Sequence, residues 1–193
     1  MQDIEDILAF IIEIEKLKNV FRKTKPVGLN RFENSAEHSW HVCLLAMLLK
    51  DYANYKVDIF RVIKMLLIHD LGEIDAGDKI IYESETTEQK NSEAEGVERL
   101  FRLLPDGKFN ELKDLWYEFE EGISIDSKFA RAIDRIPPIL HNLHGNGHSW
   151  KTHNISKDKV FAVNQRIDEG SSQTWDVIKA KLEQAVKDGL LKE

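Results

Sequence analysis

Apolar residues recur at helical spacing along most of the chain. Ile4, Ile7, Leu8, Ile11, Ile12, Ile14 and Leu17 predict an amphipathic helix over residues 3–20. Pro26 and Gly28 mark the connection that follows. Ser35 is a candidate N-cap for a long helix reaching about residue 54, and Asp58 caps the next, over 59–71. That second helix is a nearly unbroken apolar rod ending at His69-Asp70-Leu71-Gly72. The segment 72–85 reads as short, acidic and irregular. Thr86 and Gln89 have capping-box spacing ahead of a helix to about residue 104. Further helices are predicted over 109–121, stopping at Gly122, and over 127–143, capped by Asp126 and kinked at Pro137-Pro138. Residues 144–155, rich in His, Asn and Gly, read as a loop, and 156–188 as a helical extension bent near Gly170. Trp40 is read as core, and the charged stretches 83–95 and 111–121 as solvated faces. Six to eight helices without a sheet predict an all-α fold, one compact multi-helix domain over residues 1–193.

Charge narrows the partners. The 193 residues carry 27 Lys and Arg against 34 Asp and Glu, a net −7. That balance opposes coating of a nucleic-acid polymer, which needs a basic footprint, and leaves room for a local phosphate site. The connection after the first helix holds such an island, with Arg22, Lys23, Lys25 and Arg31. Cys43 is the only cysteine, so no intrachain disulfide forms and a reducing compartment is expected. No apolar run approaches the ~20 residues a membrane helix needs, and the N-terminus has acid where a signal peptide has base. The expected location is cytoplasmic.

The chemistry concentrates at His69-Asp70. A metal-competent imidazole stands beside a carboxylate at the end of an apolar helix, with Gly72, Glu73 and Asp78 just beyond. Buried charge there needs a partner or a metal. His38 and Asp134 are candidate further ligands; read alone, His38 could be a core histidine bonded to backbone, and Asp134 a salt-bridge partner of Arg131 or Lys128. Two imidazoles and two carboxylates would balance one divalent ion and leave positions for water or substrate. This mixed nitrogen and oxygen set suits one Mn, Co, Fe, Ni or Zn ion better than Mg. Glu73, four residues after His69, has the spacing of a proton-transfer group. Arg22 is the first candidate for a phosphate clamp, with Arg31 and Lys79 behind it. Among His141, His144, His148 and His153 no carboxylate is interleaved, so they read as a loop or pocket rim rather than a second metal site. His41 either reaches the cleft or supports a ligand carboxylate.

Arg22, Glu33-Asn34-Ser35-Ala36-Glu37-His38-Ser39, His69-Asp70-Leu71-Gly72-Glu73-Ile74-Asp75-Ala76-Gly77-Asp78 and Asp134 together resemble the HD-domain metal-dependent phosphohydrolases, within them the bacterial 5′-deoxynucleotidase branch. The resemblance spans roughly residues 15–140. It implies that His38, His69, Asp70 and Asp134 hold one divalent ion. It also implies that Glu73 handles the proton of the attacking water, that Asp78 meets the sugar, and that Arg22 faces the phosphate. The bacterial branch has tryptophan after that arginine, where it helps reject ribonucleotides; here Lys23 stands instead. The expected activity is removal of the 5′-phosphate from nucleoside monophosphates, deoxynucleotides foremost. Hydrolysis of a cyclic or polyphosphorylated nucleotide, or nucleotide binding without turnover, are the alternatives. Apolar positions on peripheral helices lead to the expectation of a homodimer.

Overall fold

The computed structural model describes residues 1–82 and 86–193. It contains helices α1 (Gln2–Ile14), α2 (Ser35–Leu49), α3 (Ile59–Ile68), α4 (Glu73–Ala76), α5 (Thr87–Phe101), α6 (Asp106–Glu121), α7 (Ile125–Asp134), α8 (Ile136–His144), α9 (His148–Thr152), α10 (Lys157–Asn164), α11 (Arg166–Gly170) and α12 (Ser172–Lys187). Among the described residues no sheet forms; the extended pairings are single bridges, Phe21 with Asn34 and Ser156 with Lys192. The all-α prediction and the structure agree. The predicted segment 72–85 and charged stretch 83–95 fall partly on 83–85, outside the described residues.

The helices outnumber the six to eight expected because several long periodic stretches break. The first ends at Ile14 and continues as a 3₁₀ turn over Glu15–Asn19. Its apolar stripe is largely exposed, with Phe10 and Leu17 buried in the core and Ile14 packed against it. The stretch predicted as one kinked helix over 127–143 is two helices. Pro137 and Pro138 lack the N–H groups that would bond the carbonyls of Ile133 and Asp134, so the ladder stops and α8 begins with the prolines in its first turn. Asp134 therefore ends α7. The predicted loop 144–155 contains α9, because buried Asn142 accepts the otherwise free N–H groups of Ser149 and Trp150 through its side chain.

Caps also differ from expectation. Asn34, not Ser35, caps α2 and forms a capping box with Glu37. Ser124 caps α7, while Asp126 accepts from the backbone N–H of Asp58. Asp58 caps α3 as predicted, and Thr86 with Gln89 form the expected box on α5. Trp40, read as core, is exposed and stacks on His41. Within the charged stretch 111–121, Leu115, Trp116 and Phe119 are buried, so only part of it is solvated.

Three helices position the site. α3 presents Val62, Met65, Leu66 and Ile68 to the core, between α2 on one side and α7 on the other. α11 packs closely on α7 because Gly170 carries no Cβ: one placed there would lie 2.5 Å from the carbonyl oxygen of Lys128 and 2.7 Å from Ala132 Cβ. The C-terminal segment thereby braces the helix that ends in Asp134.

Candidate metal centre and cleft

The ends of α3 and α7 meet the first turn of α2. His38, from α2, is fully buried, and His69 follows the last turn of α3. His38 Nε2 lies 2.9 Å from Asp134 Oδ1, and His69 Nε2 lies 3.5 Å from the same oxygen. His38, His69 and Asp134 each offer a ligand atom within 4.8 Å of the other two. Asp70 adjoins this set: Oδ1 is 3.1 Å from His69 Nε2, and Oδ2 accepts from Arg22 Nη1 at 2.8 Å. Residues up to 96 positions apart thus converge.

The surroundings orient the histidines. The His69 ring places Nδ1 2.8 Å from the Leu66 carbonyl oxygen, which fixes a proton on Nδ1 and turns Nε2 to the carboxylates. Trp116 Nε1 donates to the His69 carbonyl at 3.1 Å. His38 Nδ1 faces Glu33 Oε2 at 3.4 Å. His38 Nδ1, His69 Nε2 and Glu33 Oε2 are buried without an aligned hydrogen-bond partner, the condition a cation or proton would relieve.

Electrostatics point the same way. Burial disfavours a charged His69, but Asp70 and Asp134 outweigh it and push its pKa up to about 9. In the metal-free chain a proton therefore takes the place of a cation. Burial likewise opposes ionisation of Asp134, yet hydrogen bonding from His38 and His69 holds it well below the usual carboxylate range. Glu73 is driven the other way, well above that range, by burial and by the charge of Asp70. Ser35 Oγ donates to its Oε2 at 2.6 Å. Asp78 is raised to about 6, mainly by burial. Glu73 and Asp78, both raised, thus stand in the same site as Asp134, which is lowered.

A cleft of ≈ 610 Å³ opens over this constellation, and Arg22, Glu73, Asp78 and Lys79 line it with His69, Asp70 and Asp134. Arg22 is buried, donates to Asp70 and stands 4.0 Å from Asp78. Burial opposes its charge, but Asp70, Glu73, Asp134 and Asp78 together raise its pKa further. Arg31 lies elsewhere: its guanidinium makes a two-pronged pair with Glu37 and is half exposed. Two cleft cations had no sequence signal. Arg135 follows Asp134; its buried Nε makes no hydrogen bond and stands 3.9 Å from Asp134 Oδ2. Arg166, from the start of α11, has its pKa lowered by burial and by Arg131 and Arg135. Cations crowded in this way favour an anion between them.

The late histidines do not converge. His141 is buried against Glu33 and His41, His144 and His153 are exposed, and His148 packs near Phe32.

The HD-domain family profile matches residues 14–175, extending past the 15–140 span of the sequence motifs. The chain is 39% identical to a crystal structure described as a predicted metal-dependent phosphohydrolase from Magnetospirillum magnetotacticum MS-1, with a TM-score of 0.94 and full coverage of both chains. It is 29% identical over 136 residues to the 5′-deoxynucleotidase HDDC2 of Homo sapiens, covering 69% of this chain and 65% of that one. It is 32% identical over 112 residues to the Xenopus laevis protein of the same name, covering 58% and 54%. The match spans less than two thirds of the length of either relative. A structure from Pyrococcus horikoshii OT3 shares the fold at a TM-score of 0.65 and 20% identity, covering 91% of this chain and 98% of that one.

Proposed function

The chain belongs to the HD-domain family, and on that premise we propose that it is a divalent-metal-dependent phosphohydrolase that removes the 5′-phosphate from nucleoside monophosphates. The observation that carries this reading is the convergence of ligand atoms of His38, His69 and Asp134 within 4.8 Å, with His69 Nε2 3.1 Å from Asp70, beside a cleft lined by Arg22, Lys79, Arg135 and Arg166 as well as by carboxylates. The relatives named as 5′-deoxynucleotidases support the substrate class.

The donor set fits a metal. Two imidazoles and two carboxylates would hold a borderline cation such as Mn, Co, Fe, Ni or Zn. When bound, such an ion lowers the pKa of a coordinated water and polarises a phosphoryl oxygen. The remaining work falls to side chains. The new P–O bond forms from water as the bond from phosphorus to the 5′-oxygen breaks; one proton leaves the water and one reaches the leaving oxygen. Glu73, its carboxyl raised by burial and by Asp70, would take the first and supply the second. Ser35 keeps one of its oxygens in position. Asp78 is assigned to a sugar hydroxyl. Arg22, Lys79, Arg135 and Arg166 would surround the phosphate oxygens with positive charge. Arg31, bonded to Glu37 and absent from the cleft lining, is not assigned this role.

No helix among the described residues is long and apolar enough to cross a membrane, and we assign the protein to the cytoplasm. Ile4, Leu8 and Ile12 on α1 and Trp40, Met47 and Leu48 on α2 are exposed. We take these faces as the contacts of a homodimer, which sedimentation of the purified chain tests.

The decisive experiment is phosphate release from ribo- and deoxyribonucleoside 5′-monophosphates by the metal-loaded chain and by Asp70→Asn. Saturable release by the wild type and a loss of at least about 100-fold in the variant are expected; equal rates in the two proteins would refute the reading. Arg135 and Arg166 favour one second reading, hydrolysis of a polyphosphorylated nucleotide. It requires faster release from a di- or triphosphate than from the monophosphate.

A further inference from the structure

Glu33, His41 and His141 form a cluster distinct from the residues assigned to the phosphohydrolase reaction. They come from the connection before α2, the first turns of α2, and α8. Each offers one ligand atom, and the three atoms lie within 4.8 Å of one another. Glu33 and His141 are 2% and 5% exposed, and His41 is partly buried. We propose that Glu33, His41 and His141 hold a second divalent transition-metal ion, of the Zn²⁺ type, separate from the His38–His69–Asp134 centre.

The one ligand separation the structure fixes directly suits an ion better than a hydrogen bond. His141 Nε2 stands 3.8 Å from Glu33 Oε1, too far for a hydrogen bond. Donors that each bind one ion at about 2.0–2.2 Å are separated by about 3.3 Å in a tetrahedral arrangement and by up to about 4.4 Å across the ion. The His141 ring can be oriented for ligation: Nδ1 lies 3.2 Å from Thr24 Oγ1, a hydroxyl able to accept a hydrogen bond from a protonated Nδ1, and in that tautomer the Nε2 lone pair is turned toward Glu33. The imidazoles of His41 and His141 lie nearly parallel, 29° apart with centroids at 6.3 Å. Glu33 Oε2, buried and without an aligned hydrogen bond, shows that Arg22 and His38 do not fully satisfy this carboxylate, although Arg22 Nε and His38 Nδ1 each approach it to 3.4 Å.

The donor chemistry selects the ion. Two imidazoles and one carboxylate suit Zn²⁺, Co²⁺ or Ni²⁺ over Mg²⁺ or Ca²⁺. With ligands on three separate segments, the ion would tie the Arg22–Glu33 connection to α2 and α8. Glu33 would face this ion through one oxygen and His38 through the other, so the second ion is a positioning element for the first centre.

The test is zinc stoichiometry of the full-length chain, stripped with chelator, reloaded with Zn²⁺ and dialysed. Two equivalents per chain are expected for the wild type. His41→Gln and His141→Ala should each hold one, and Asp134→Ala should also hold one, from the opposite site. Substituting Co²⁺ separates the sites spectrally: the visible absorption lost in His41→Gln should be the part that Asp134→Ala retains. Circular dichroism shows which variants fold, and partly buried His41 decides the matter if His141→Ala does not. One equivalent in the wild type, or two retained by either folded histidine variant, would overturn the proposal. Because the readout is bound metal, its failure is distinguishable from failure of the phosphohydrolase reading.

Discussion

Ser35 Oγ donates a 2.6 Å hydrogen bond to Glu73 Oε2, joining the start of α2 to α4 across 38 positions of sequence. The hydroxyl is the one the sequence assigns to capping. Its release from that duty by Asn34 is what frees it to hold the carboxyl proposed for proton transfer.

Ser35→Ala tests that link. The bond from Ser35 lowers the pKa of Glu73 against burial and against Asp70. Its removal raises the pKa further. The acid limb of the pH–rate profile should move to higher pH, and turnover near neutrality should fall about tenfold with little change in metal content. An unmoved acid limb would separate Ser35 from Glu73's chemistry.

The metal-free chain should lose stability as pH rises. The His69 pKa is about 9 in the fold against 6.5 ordinarily. A raised pKa means that its stabilising contribution is complete below the ordinary value and disappears as pH climbs through the folded one. The melting temperature of chelator-treated protein should fall by about 5 °C or more between pH 6.5 and 9.5, from this group. Loading with a divalent ion should flatten that decline, because the ion replaces the proton. Thermal melts across the range, with and without metal, supply the check.

Arg135 and Arg166 should act on substrate binding. Arg166 is held beside Arg131 and Arg135, and Arg135 Nε is a buried donor that makes no hydrogen bond. Arg166→Gln and Arg135→Gln should each raise KM for a nucleoside monophosphate about tenfold, with a smaller change in kcat. Steady-state kinetics at several nucleotide concentrations would reveal it, and an unchanged KM in both would leave the phosphate to Arg22 and Lys79.

Gly170→Ala should destabilise the protein by about 1–3 kcal/mol. The added methyl would meet the Lys128 carbonyl at 2.5 Å and the Ala132 Cβ at 2.7 Å, so α11 must lift from α7. Urea unfolding gives the stability. Since α7 ends in Asp134, metal affinity should weaken in parallel.

From sequence alone, periodicity predicts the helical class, because amphipathic spacing and capping residues are local properties. The His69-Asp70 pair with its trailing Glu73 and Asp78 is likewise legible, as a metal-competent dipeptide closing an apolar helix. Side-chain burial and long-range pairing decide the rest. Trp40 and the stripe of α1 are as apolar as any core residue, yet lie exposed, since periodicity states which face is apolar and not what covers it. Arg31 is as basic as Arg22, but Glu37 captures it at the surface while Asp70 draws Arg22 inward. Arg166 and the Glu33–His41–His141 cluster leave no contiguous motif, because their residues meet only once α2, α7, α8 and α11 pack. Local chemistry names the candidates; the three-dimensional course of the chain selects which of them share a site.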